Sequence, residues 1–138
     1  MLPTFTGTSS QLLDEKNRLA IPARFRDRFD TIVYLTAGDD GCIAAYTPAG
    51  YEQAGVSVME ESATTVAGRD ARRDFFGRTA ELRTDGQGRV VVPQFLLEHA
   101  GLGKDVLVVG LGEWFEFWDA KRHAAWKASR QTAKQAGG

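Results

Sequence analysis

The chain has 138 residues, 43% hydrophobic and 25% charged, an ordinary composition for one compact domain or two very small ones. No apolar run approaches the roughly 18 residues that span a bilayer, and Met1–Thr6 lacks the basic and apolar regions of a secretory leader, so a cytoplasmic location without a membrane partner is expected. A formal net charge of −1 argues against indiscriminate nucleic-acid binding, and Cys42, His99 and His123 form no metal-ligand cluster of familiar spacing, so neither metal nor cofactor is expected.

In chain order, Asp14–Asn17 reads as a turn, Arg18–Ile21 as a short strand, and Pro22 as the first residue of a helix, where its missing N–H costs little. Thr31–Thr36 reads as a strand, Ala37–Gly41 as a turn and Cys42–Tyr46 as the returning strand. Thr47 is an N-cap and Pro48 opens a short helix through Tyr51. Residues 56–67 have no clear period and are expected to be partly mobile. Arg69 to Thr79 reads as a helix carrying Phe75 and Phe76 into a core. From Asp85 the first pattern returns, with Gly88 in the turn and Pro93 opening the helix. Val106–Val109, the turn Gly110–Glu113 and the strand Phe115–Trp118 follow. Asp119 caps a longer helix whose end, Gln131–Gly138, is expected to fray.

Residues 85–100 repeat residues 14–29 at an offset of 71: Asp14 matches Asp85, Arg18 matches Arg89 and Pro22 matches Pro93. Asn17 and Gly88 share a slot, and they are the residue types that best tolerate a positive φ. Tyr46/Trp118 and Thr47/Asp119 extend the duplication. Each copy has too few apolar residues to close a core alone, so a single α+β pseudo-twofold barrel is expected rather than two independent domains.

The copies diverge in charge. Arg24, Arg26 and Arg28 of the first copy become Phe95, Leu97 and His99 in the second, and Lys16 becomes Gln87. The first half therefore looks nucleic-acid-facing and the second protein-facing. Two bland readings stand beside this. Asp14–Arg18 and Asp85–Arg89 could be ion pairs bracing their turns, and arginines among aspartates are commonly a solvated face. An aspartic-protease dyad fails because Leu13-Asp14-Glu15 lacks the hydroxyl and glycine of Thr84-Asp85-Gly86. Gly86-Gln-Gly88 is too short to cradle a phosphate, and no nucleophile–base constellation is readable, so no catalysis and no small-molecule substrate are expected.

The stretch Asp14-Glu-Lys-Asn-Arg-Leu-Ala-Ile-Pro-Ala-Arg-Phe-Arg26, preceded by Phe5-Thr-Gly-Thr and repeated as Asp85-Gly-Gln-Gly-Arg-Val-Val-Val-Pro93, resembles the MraZ family over residues 5 to 126, with Gly110 and Phe115–Asp119 included. That family commonly has Lys-Gly-Arg where this chain has Lys16-Asn17-Arg18. The resemblance implies two tandem AbrB-like, swapped-hairpin half-barrels with short flanking helices. It implies a first repeat over 8–51 facing DNA, a helical linker over 52–78, a second repeat over 79–122 facing protein, and a C-terminal helix and tail over 123–138. It further implies a nucleoid-associated regulator, usually a repressor, of the bacterial division and cell-wall gene cluster. Such a regulator binds direct repeats in double-stranded promoter DNA as a ring, most often of eight subunits. Lys16, Arg18, Arg24 and Arg26 are then the expected DNA contacts, and Asp14, Asn17, Pro22, Asp85, Gly88, Arg89 and Pro93 the expected turn residues. A ring-forming protein scaffold and an antitoxin-type dimeric DNA binder are the alternatives.

Overall fold

The computed structural model describes residues 4–137. In chain order the elements are β1 (Thr8–Leu12), β2 (Arg18–Ala20), α1 (Ala23–Arg26), β3 (Ile32–Ala37), β4 (Ile43–Tyr46), α2 (Pro48–Val58) and α3 (Val66–Phe75). They continue with β5 (Thr79–Arg83), β6 (Arg89–Val91), α4 (Gln94–Ala100), β7 (Asp105–Gly110), β8 (Phe115–Asp119) and α5 (Ala120–Gly137). Six strands form an antiparallel sheet in the order β1-β7-β8-β4-β3-β5, and β2 and β6 form a separate ribbon.

That order is a palindrome of the duplication. Replacing each strand by its repeat partner reverses the list and changes nothing else. β1 of the first half pairs only with β7 of the second, and β5 of the second pairs only with β3 of the first. The local axis passes through Leu19↔Val90 in the ribbon and Ala44↔Glu116 in the sheet, which are repeat-equivalent pairs. The halves are interleaved, and neither owns a complete sheet.

The core follows from strand alternation. Leu19 and Val90 from the ribbon, Val33, Leu35, Ile43, Val106, Val108, Phe115 and Phe117 from the sheet, and Phe25 and Leu96 from α1 and α4 are all buried. Phe5, Phe25 and Phe115 meet with ring centroids 4.9–5.2 Å apart, within the range where edge and tilted aromatic pairs attract. Gly110 lets the Phe5–Thr6 backbone lie directly against β7, since a β-carbon there would overlap it.

Several expectations need correction. Pro22 and Pro93 precede their helices as N-caps with extended ψ of 138° and 150°, one position earlier than expected. The residue before an intrahelical N–H has no donor duty, so proline fits there as well. The helix from Pro48 does not stop at Tyr51 but runs to Val58. Residues 56–67 thus hold the end of α2, a short loop, and a second capped start, where the Thr65 hydroxyl accepts from Gly68 N at 2.9 Å. α3 ends at Phe75, and Thr79 already belongs to β5. Phe75 and Phe76 do not enter the core. Phe75 stacks on Tyr51 and packs edge-on to Tyr46, while Phe76 stays exposed beside Tyr51. The expected fraying lies partly outside the described residues, but α5 persists through Gly137.

Candidate nucleic-acid interface

Each turn is built by one aspartate. Asp14 Oδ1 accepts from the backbone N–H of Lys16 at 2.9 Å and Arg18 at 2.8 Å, and Oδ2 accepts from Arg18 Nε at 2.6 Å. Asp85 makes the same three bonds, each at 2.9 Å, to Gln87 N, Arg89 N and Arg89 Nε. Backbone N–H donors and the guanidinium stabilise the carboxylate form, and backbone bonds from Arg18 and Arg89 are the largest cause of the lowered pKa of each aspartate. Asn17 and Gly88 close the turns at φ of 61° and 75°. Their carbonyls then accept from the opposite half: Val92 N donates to Asn17 O at 2.9 Å, and Ile21 N to Gly88 O at 3.0 Å.

The ribbon sorts side chains by alternation. Leu19 and Val90 face the core. Arg18, Ala20, Arg89 and Val91 share the opposite face, with Arg18 beside Val91 and Ala20 beside Arg89. In both arginines only Nε of the guanidinium is held among the described residues, which fixes the plane and leaves the terminal N–H donors unspent there. Lys16 is exposed at the apex of the first turn, and Gln87 occupies the same place in the second.

The remaining arginines separate. Arg24 donates to Thr6 O at 3.2 Å and lies over the Phe25 ring at 4.8 Å, so it is anchored on the first half. Arg26 crosses the axis. Its guanidinium lies against Gly88 of the second turn, where a β-carbon would overlap it, and its Nε is buried with no hydrogen-bond partner among the described residues. The second turn therefore has a cation after all, lent by the first half. The sequence placed Arg26 on the first repeat and missed this. The signal was present in the interleaving, because antiparallel β2 and β6 carry α1 to the opposite turn. Arg28 is exposed and makes no ion pair among the described residues.

A duplicated, interleaved α+β scaffold presents one ribbon face with two carboxylate-oriented arginines and two flanking turns, and it has no cluster of metal-binding side chains among the described residues. That is a scaffold of tandem-repeat type. The MraZ protein family model, described as antitoxin-like, matches residues 4–74 and again 75–136, and the chain belongs to the MraZ family. It is 37% identical over 116 residues to the transcriptional regulator MraZ of Paenarthrobacter aurescens, covering 84% of this chain and 81% of that one. It is 35% identical over 127 residues to the Frankia alni protein of the same name, covering 92% and 89%. The Micrococcus luteus protein, also named transcriptional regulator MraZ, is 34% identical over 129 residues, covering 94% and 90%. Transcription regulation is thus the role its relatives carry.

Proposed function

We propose that the chain is a cytoplasmic, nucleoid-associated, non-enzymatic regulator that binds direct repeats in double-stranded promoter DNA as a ring of identical subunits, normally repressing the division and cell-wall cluster. The observation that carries this is the ribbon face, where Asp14 orients Arg18, and Lys16 and Arg26 stand nearby. The palindromic strand order supports a swapped-hairpin barrel beneath it. The repeats over 8–51 and 79–122 then serve DNA and neighbouring subunits respectively.

Arg18 is assigned to base edges, since its planar fork suits guanine O6 and N7. Lys16 and Arg24 are assigned to phosphates. One such face binds weakly, and several on a ring meeting repeats a helical turn apart gain from effective concentration. This reconciles a net charge of −1 with a polyanionic partner.

The test is a salt-titrated electrophoretic shift with the chain's own upstream DNA, alongside light scattering. The expected results are a specific shift and a mass several times 15.1 kDa. Lys16→Ala should weaken binding to all sequences and flatten the salt slope by about one counterion per phosphate released. Arg18→Ala should cost about 1–3 kcal/mol of binding for each base it no longer reads. A ring with no shift would favour the protein scaffold, and a clean monomer would reject the ring.

A further inference from the structure

The outer surface of the large sheet carries a groove of about 760 Å³ that the ribbon face does not use. Its floor comes from alternation in and before β8. Phe115 and Phe117 face the core, so Trp114, Glu116 and Trp118 share the other side. The Glu116 carboxylate accepts from Trp118 Nε1 at 2.9 Å on one oxygen and from Trp114 Nε1 at 3.3 Å on the other. Directly across the strand pair stands Ala44, the repeat-equivalent of Glu116, whose methyl leaves the space beside the carboxylate open. Tyr46, two residues on, forms an aromatic wall with Trp114, their centroids 6.0 Å apart.

Glu116 has no cationic partner among the described residues. Arg78, the arginine on the groove's rim, is turned to His99 Nδ1 at 3.0 Å. An anion would meet a carboxylate whose two indole donors are already spent. A neutral apolar ligand would bury that carboxylate unpaired, which is costly. A cation satisfies it and finds aromatic faces alongside. Asp40 and Trp126 line the same groove, and a guanidinium of this chain already lies beside them. Arg130 lies over the Trp126 ring at 5.6 Å, with a terminal nitrogen 4.0 Å from an Asp40 oxygen in an exposed contact.

We propose that this groove is a binding site for a guanidinium group, ion-paired with Glu116 and set against the rings of Trp114 and Tyr46. The group can arrive on a free small molecule or on an arginine side chain, and the two sources are separable. Agmatine supplies it free, and a capped Gly-Arg-Gly peptide supplies it on a backbone. Titration of the full chain by tryptophan fluorescence should give a saturable change with at least one of them, half-complete in the low millimolar range, about 1–5 mM. Tighter binding of agmatine points to the free source, and tighter binding of the peptide to the side chain. Glu116→Gln should weaken either response at least tenfold with its thermal melt retained. Ala44→Leu fills the space without touching the charge and should do the same, so it decides the matter if the first variant fails to fold. No saturable response from either probe up to about 50 mM, or equal binding by wild type and a folded Glu116→Gln or Ala44→Leu variant, overturns the site.

Discussion

Asp14 and Asp85 show how far one side chain can determine a turn. Each collects two backbone N–H groups and one Nε, and Arg18 and Arg89 are held alike. The bracing reading and the DNA reading of Arg18 are therefore compatible, because the brace uses Nε and leaves the terminal nitrogens. Arg18→Ala and Arg89→Ala should both lower the melting temperature, by similar amounts, and should differ in DNA binding, with Arg18→Ala the weaker. Equal loss of binding would assign the two halves the same role. Both aspartates have lowered folded-state pKa values. Their contribution to stability is therefore complete above the unfolded value of about 3.9 and is lost as pH falls through the depressed folded value. Melts of wild type should be insensitive to these groups between pH 7 and 5 and fall below about pH 4. The double variant Asp14→Asn/Asp85→Asn should begin lower at pH 7 and lose less on acidification.

At the scale of the element, the ribbon is the keystone, since Leu19 and Val90 sit on the axis and are shielded by both halves. Leu19→Ala should destabilise by about 2–5 kcal/mol in chemical denaturation. Asn17→Ala should cost about 1 kcal/mol, because alanine at φ of 61° lacks the local hydrogen bonding that lets asparagine occupy the left-handed region. Asn17→Gly, which restores the residue common at this slot, should remain within about 1 kcal/mol of wild type. The turns, β3, β4, β7, β8 and the Thr47 and Asp119 caps were legible because each carries a local signature: a tolerated positive φ, an alternating apolar run, or a hydroxyl or carboxylate before a helix. The sequences of β1, Thr-Ser-Ser-Gln-Leu, and β5, Thr-Ala-Glu-Leu-Arg, carry none. They become strands because β7 and β3 lie open beside them. Phe75 and Phe76 were misplaced for a related reason: hydrophobicity says that a ring will find cover, and here the cover is Tyr46 and Tyr51 outside the core. Arg26 shows the same gap within the candidate site, since its neighbour Gly88 belongs to the other repeat.

For the whole molecule, interleaving means that stability is held in common. Residues 1–60 keep β1, β3 and β4 but lose β5, β7 and β8, and residues 78–138 lose the converse set. Neither fragment should show a cooperative melt by circular dichroism alone, because each would expose half a core to water. Mixed in equal amounts, they should recover one, since the strand pairing between the halves is entirely non-covalent. A cooperative melt from either fragment by itself would establish independent domains.

The pairing of β1 with β7 also sets an order of events during synthesis. Thr8 must find Val109 and Leu12 must find Asp105. The first strand to leave the ribosome is thus among the last to be satisfied, and at roughly 5–20 residues per second it waits several seconds for its partner. Until β5 emerges the nascent chain carries β3 and β4 with both outer edges open, and after it the edge of β4 still waits for β8. Short, polar Thr-Ser-Ser-Gln-Leu is a strand that can wait in water without recruiting a neighbour.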